Sequence, residues 1–426
     1  MHRLLLKLFV LLIAIIVVSS LFFTSYINKN NENKLKIEMT DESSKRMKKK
    51  IIIFTSSGGR GHVSATQALI EYCGDAYDVQ PVYALREILH PLDFVYALTF
   101  GRYHSEELYN YFLTHNYTWV IPGMVWLGKC FFWLRFNAIS QLIQDYLAHH
   151  KPDLVISVIP MINGATLQAT QNLNIPFWVI PTDLDAANFV YQIDEPTYEQ
   201  FFFNVAYDDK DLKKTFANAL IPENQLTYAG FPVRTSFLAS YFKNDLKQKY
   251  NVPLDKPVIM LLMGGLGSHE TVSFTKELQK IKHPIHLLLC IGKNEQIRAD
   301  LENLVTHTNI TQTIIGFTEH IAELMAMSDL LITKSGGLSV NEALYMNVPM
   351  ILDATSFGLA WEQFNRTFVE DYNLGYILEC KENLAPVIED LLNNSDKLHV
   401  WQHNVKALKK ENPAIRIMEY IKKIIE

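Results

Sequence analysis

IIIFTSSGGRGHVSATQALIEYC, residues 51–73, is the stretch that decides the fold. Its first four residues are apolar and mostly β-branched, which reads as a short buried parallel strand. SSGGRG then forms a glycine-rich turn. From His62 the spacing becomes helical, with Val63, Ala65, Ala68, Leu69 and Tyr72 expected on one side. Strand, glycine turn and helix open a doubly wound α/β domain. Further strands are expected at LVISVI (154–159) and FWVI (177–180), with helical patterns between. A second series starts near Pro257 with VIMLLMGG (258–265), HLLLCIG (286–292), TIIGF (313–317), LLIT (330–333) and PMIL (349–352). Residues 230–256 read as the linker. The expected fold class is therefore α/β, with two Rossmann-like domains facing a cleft. They are placed at residues 50–238 and 239–397, followed by amphipathic helices over 398–426.

Composition bounds the function. Of 426 residues, 49% are hydrophobic and 20% charged, which excludes a disordered chain. Lys+Arg 39 against Asp+Glu 45 gives a net charge of −6, which excludes a general nucleic-acid binder held by phosphate contacts. Cys73, Cys130, Cys290 and Cys380 have no paired spacing, which argues against a zinc ribbon or a disulfide scaffold and fits a reducing compartment.

A mean hydropathy of +0.03 is slightly high for a soluble enzyme. Part of the surplus is LFVLLIAIIVVSSLFF (8–23). Counted from Leu4 the run is about 20 residues, enough to cross a hydrocarbon core of ~30 Å. Residues 1–27 are expected to be an uncleaved transmembrane helix; a cleaved signal peptide is the alternative, but no A-x-A-like site follows the run. Arg3 and Lys7 precede the run, and a heavier set (Lys29, Lys34, Lys36, Lys45, Arg46, Lys48, Lys49 and Lys50) follows it. That bias places the body on the cytoplasmic side. Residues 28–49 read as a basic polar tether. The aromatic stretch 94–136 has two readings, core helices or a surface that meets membrane lipid.

Two glycine turns carry the chemistry. In the first, Gly58, Gly59 and Gly61 let backbone N–H groups turn toward a ligand at a helix N-terminus. No Gly-Lys-Ser/Thr follows, so this is not a Walker loop. His62 stands at the helix start, where the dipole disfavours imidazolium and leaves a neutral base. In the second turn, Ser335, Gly336 and Gly337 open a helix that carries Glu342. Its amides suit a diphosphate, and Glu342 suits the ribose hydroxyls.

These segments resemble a family. SSGGRGHVSATQAL (56–69), PTDLD (181–185), GFPVR (230–234), MGGLGS (263–268) and GFTEHIAELMAMSDLLITKSGGLSVNEAL (316–344) are similar, in order, to motifs of the monogalactosyldiacylglycerol synthase and processive diacylglycerol glucosyltransferase group. That group belongs to glycosyltransferase family 28, with the GT-B fold. The resemblance covers most of residues 50–376. It implies sugar transfer with inversion from a UDP-sugar to a lipid acceptor, diacylglycerol or a related glycolipid, without a bound metal or other cofactor. It implies His62 and Asp183 as catalytic candidates, His62 being preferred as base. For the donor it implies Gly58, Gly59, Gly61, Arg234, Gly264, Gly265, Gly267, Gly316, Phe317, Ser335, Gly336, Gly337, Leu338, Glu342, Glu362 and Asn365. The family's P-G-Q-E-x-x-N is altered here: Glu362 and Asn365 keep their spacing, but Trp361 replaces the usual Gln. Partners are then the UDP-sugar, a membrane lipid and the bilayer. The competing readings are a UDP-sugar epimerase of the same fold and a non-catalytic nucleotide-sugar-binding scaffold.

Overall fold

The computed structural model describes residues 48–59, 61–114, 117–264, 268–304, 309–355, 359 and 361–426. The expected anchor and nearly all of the tether lie outside these described residues, so the transmembrane helix has no support from the structure. Among the described residues no helix is long and apolar enough to cross a membrane.

Two compact units separate. One is a short excursion, residues 92–105. Within it the Asp93 carboxylate caps a helix, Phe94–Leu98, by accepting the Val95 and Tyr96 N–H groups, and it also accepts the Ser105 N–H and hydroxyl. Tyr96 stacks on His104, and Phe100 is exposed.

The other unit holds both sheets. The first contains β1 (Lys50–Thr55), β2 (Asp78–Tyr83), β3 (Leu154–Ser157), β4 (Phe177–Val179), β5 (Phe201–Asn204) and β6 (Leu226–Thr227), in the order β2-β1-β3-β4-β5-β6. The second contains β7 (Val258–Leu262), β8 (Ile285–Gly292), β9 (Ile310–Gly316), β10 (Leu330–Lys334), β11 (Met350–Asp353) and β12 (Gly375–Leu378), in the order β12-β11-β10-β7-β8-β9. Every pairing is parallel. A parallel sheet covered on both faces needs continuous apolar strands, and Ile51–Phe54 and β7 supply them.

The helices that shape the site are α1 (Gly61–Cys73), α2 (Ser105–Thr114), α3 (Ile121–Leu134), α4 (Gly337–Tyr345), α5 (Glu362–Asp371) and α6 (Pro413–Ile425). On α1 the buried side is Ala65, Ala68, Leu69 and Tyr72, at the i, i+3, i+4, i+7 positions. Val63 departs from expectation and is 40% exposed, because a step of two residues before Ala65 turns it to the opposite side. The interval 230–256 is not a bare linker. Phe231, Val233, Phe237 and Leu246 are buried in the core of the second half.

The two halves are tightly apposed. Leu184 and Tyr207 of the first share an apolar cluster with Val340, Ala343 and Leu344 of the second. At the crossing, Gly230 adopts φ +81, and a Cβ there would lie 2.8 Å from the Tyr345 hydroxyl. Beyond the second sheet, α6 returns to the first half, where Tyr77 donates to Glu426 at 2.8 Å and Trp178 packs on Tyr420.

Candidate active site

In doubly wound sheets, ligands bind outside the carboxyl ends of the strands, where the strand order reverses. In the first sheet that point lies between β1 and β3. In the second it lies between β7 and β10. The glycine turns after β1, β7 and β10 all fall at these two points, so the topology itself selects the segments that the motifs select.

The first turn is braced from outside. The buried Glu106 carboxylate on α2 accepts from Ser56 Oγ, from Ser57 N–H at 3.1 Å and from Arg86 Nε at 2.8 Å. One helical turn on, Asn110 accepts the Gly59 N–H at 3.1 Å and donates to the Ser57 carbonyl at 2.9 Å. Gly59 adopts φ +80, a backbone region that glycine enters without strain. Gly59 and Gly61 have open space where a Cβ would stand, whereas one on Gly58 would lie 3.1 Å from Ser56 Oγ. Arg86, Glu106 and Asn110 were not singled out from the sequence. Their one signal was a polar i, i+4 pair in an aromatic-rich stretch.

His62 lies at the same switch point, on the first turn of α1. Its Nδ1 lies 2.8 Å from the Val158 carbonyl, just past β3, and 2.8 Å from Thr182 Oγ1. Burial lowers its pKa, outweighing the Val158 hydrogen bond and the field of Glu106, so the ring is neutral at neutral pH.

Asp183 bridges the halves. The Gly337 N–H, at the start of α4, donates to its carboxylate. A Cβ on Gly337 would lie 2.5 Å from Asp183 Oδ1 and 3.0 Å from the Thr182 carbonyl. The N-cap, Gly336, supplies no side-chain cap, and the Asp183 carboxyl group from the first half takes that place. Burial, then the Glu362 and Asp185 carboxylates, push Asp183 up to about 8 against the Gly337 hydrogen bond. Its charged form is therefore disfavoured near neutral pH. Burial, then Asp183 and Glu362, raise the pKa of Tyr109.

The second turn is braced from below. Asn365 is fully buried and donates to the Ser335 carbonyl at 2.6 Å. Arg366 Nε donates to Ser335 Oγ at 2.8 Å. The structure thus places Asn365 under the turn, shaping Gly336–Gly337. Glu362, at the start of α5, accepts the Leu359 N–H at 3.3 Å, and burial raises its pKa. Leu338 packs on the apolar cluster below the turn.

Glu342 is buried on α4, and burial pushes it up to about 7 against the opposing Arg234. Arg234 Nη2 stands 3.7 Å from Glu342 Oε1, and its guanidinium lies 5.1 Å from the Phe237 ring centroid. The structure pairs these two expected donor residues with each other across the domain boundary. Among the described residues, buried Arg234 Nε has no partner. Gly264 adopts φ +101 beside open space. Gly316 ends β9, and the Phe317 ring lies under Lys293 at 4.8 Å. Gly265 and Gly267 lie outside the described residues.

Residues 259–421 match the glycosyltransferase family 28 C-terminal domain. A processive diacylglycerol beta-glucosyltransferase of Staphylococcus haemolyticus is 26% identical over 385 residues, 89% of this chain and 93% of the relative. Among solved structures, MurG of Acinetobacter baumannii superposes with a TM-score of 0.58 at 15% identity, covering 88% of this chain and 99% of that one. A UDP-GlcNAc 2-epimerase from Neisseria meningitidis superposes with a TM-score of 0.52 at 15% identity, covering 88% and 100%. These structural likenesses show the two-domain GT-B fold alone, which transferase and epimerase share. The family domain and the full-length relative favour the transferase: residues 259–421 carry a glycosyltransferase family 28 C-terminal domain, and most of the chain is similar to a diacylglycerol glucosyltransferase.

Proposed function

We propose that the chain transfers a hexosyl group with inversion from a UDP-sugar to a hydroxyl of diacylglycerol or a related glycolipid at a membrane surface. His62 Nε2 takes the acceptor proton as the hydroxyl oxygen bonds to the anomeric carbon. The bond from that carbon to the diphosphate breaks, and its electron pair leaves on the UDP oxygen. The start of α4 receives the diphosphate, whose charge the helix dipole and the turn amides stabilise. Donor diphosphate and Asp183 are addressed to the same amide, so donor entry displaces the Asp183 carboxyl group. The turn after β7 adds amides, Gly316 and Phe317 border the base, and the reading requires no metal or other cofactor.

One observation carries the lipid half of this reading. Helix α3, IPGMVWLGKCFFWL, has a single charge in 14 residues, yet only Ile121 is buried. Trp126, Trp133 and Leu134 are 59%, 67% and 69% exposed. An apolar helix of this kind buries its face in a lipid interface. At about 21 Å it is too short to span a bilayer. Tyr191 donates to the Lys129 carbonyl at 2.7 Å, which ties α3 to the loop that follows Asp185. Residues 1–27 would then hold the enzyme on the bilayer, with the catalytic body in the cytoplasm where UDP-sugars are found.

UDP release measured with and without diacylglycerol vesicles tests the reading. Release that depends on acceptor is expected, and Trp119→Ser with Trp126→Ser should reduce it on vesicles several-fold more than acceptor-free hydrolysis. Acceptor-free epimer formation, or tight UDP binding without turnover, would overturn it. Equal loss of both activities in the double variant would remove α3 as the lipid-facing surface.

A further inference from the structure

His62 has two oxygen partners on one nitrogen. The Val158 carbonyl and the Thr182 hydroxyl each lie 2.8 Å from Nδ1. A carbonyl oxygen only accepts, so the ring proton must sit on Nδ1. The neutral ring therefore keeps its lone pair on Nε2. The Thr182 oxygen is left to accept from the same N–H, and its own proton can turn toward the Val158 carbonyl, 3.4 Å away. Thr182 is buried, and its backbone carbonyl is pressed against the start of α4. Its hydroxyl is held in place by the apposition of the two halves.

We propose that Thr182 is a positioning residue for the transfer. It is the second acceptor at Nδ1, holding His62 in the tautomer that presents Nε2 to the acceptor hydroxyl and stabilising the imidazolium formed when that proton arrives. The proposal rests on the reading of His62 as the base. Hydrogen bonds from a charged donor are roughly twice as strong as neutral ones. The gain therefore grows as the proton transfers, and it acts on the transition state more than on donor binding. In Ser-His-Asp triads a carboxylate fills this place. Here a hydroxyl and a carbonyl fill it, and the charged group that acts on the ring is Glu106, itself paired with Arg86. Thr182 lies in the PTDLD segment, but its role emerges only from the meeting of β1, β3 and β4 at one edge.

The test compares Thr182→Val and Thr182→Ser with the wild type. In Thr182→Val, kcat should fall about tenfold, the size expected for one hydrogen bond to a charged group, with KM for the UDP-sugar within about twofold. Loss of a partner that favours imidazolium lowers the His62 pKa, so the acidic limb of the kcat profile should move to lower pH. Thr182→Ser should restore both. A structural role would change KM or the folded fraction and leave the limb in place. Nitrogen-15 NMR of His62 in the wild-type chain needs no variant and should show Nδ1 protonated and Nε2 bare. The opposite tautomer, or a Thr182→Val enzyme with wild-type kcat and limb, would overturn the proposal. Full transfer by His62→Ala would instead overturn the base assignment, while the tautomer measurement would still report on the Nδ1 contact.

Discussion

The two glycine turns are the same local device put to different uses. Each follows a central parallel strand and opens a helix. The turn after β1 carries an imidazole with one nitrogen fixed by oxygen partners. The turn after β10 offers backbone amides at a helix start, where the Gly337 N–H meets Asp183. Their supports differ accordingly. Glu106 and Asn110 grip backbone and hydroxyl groups of the first turn from a separate helix. Asn365 and Arg366 hold Ser335 of the second from beneath. A strand–turn–helix unit sets where a ligand meets the sheet, and the side chains added around it decide whether the turn performs chemistry or binding.

Three changes can break or sharpen that contrast. The largest effect is expected from His62→Ala. A general base contributes roughly 10²–10⁴-fold, so transfer should fall by that order while UDP affinity measured by calorimetry stays within about twofold. A matched loss of UDP affinity would make the first turn a binding element like the second.

Gly337→Ala acts on the second turn. The added methyl would meet Asp183 Oδ1 at 2.5 Å and the Thr182 carbonyl at 3.0 Å, and the latter is backbone with little room to yield. Overpacking of this kind costs ~1–3 kcal/mol, so kcat/KM for the donor should drop about tenfold or more in steady-state assays while the circular dichroism spectrum is retained. Unchanged kcat/KM would show that the turn tolerates separation from Asp183.

The smallest effect concerns the bridge between the turns. Asp183 is raised to about 8 in the folded chain from an ordinary 3.8. A raised carboxyl favours the folded state below its unfolded pKa, and that contribution is lost as pH climbs through the folded value. Glu342, at about 7, adds a slope of the same sign but finishes earlier. In thermal unfolding, Asp183→Asn should flatten the decline between pH 4 and 8, with the clearest difference from wild type between pH 7 and 8, a shift of a few degrees. Identical profiles would mean that the carboxyl does not sit against Gly337 in solution.

Much of the fold was legible because the buried strands of a parallel sheet are continuous apolar runs. The segments around Ile51–Phe54 and the β7, β8 and β10 sequences announce themselves in this way. Four strands went unread, β2, β5, β6 and β12; β5 is an interior apolar strand, and the other three have physical excuses. β2, DVQPVY, is an edge strand with Pro81 inside it and little burial. β6 has two residues. β12 is also an edge strand, with most of its side chains only half-buried. Val63 was misread because apolar character does not fix which way a helical residue faces.

The site divides along the same line. Local sequence determined the two glycine turns, the histidine at a helix start and the family to which they point, because strand, turn and helix are neighbours in the chain and their chemistry is written in order. Tertiary structure alone decided the rest. Residues far apart in the chain meet only when the sheets form: Glu106 under Ser56, Thr182 on His62, Asp183 against Gly337 and Arg234 against Glu342. Hydrogen-bond partners at that distance leave no periodicity in the sequence. The tautomer of His62 and the protonation of Asp183 therefore follow from packing rather than from residue type.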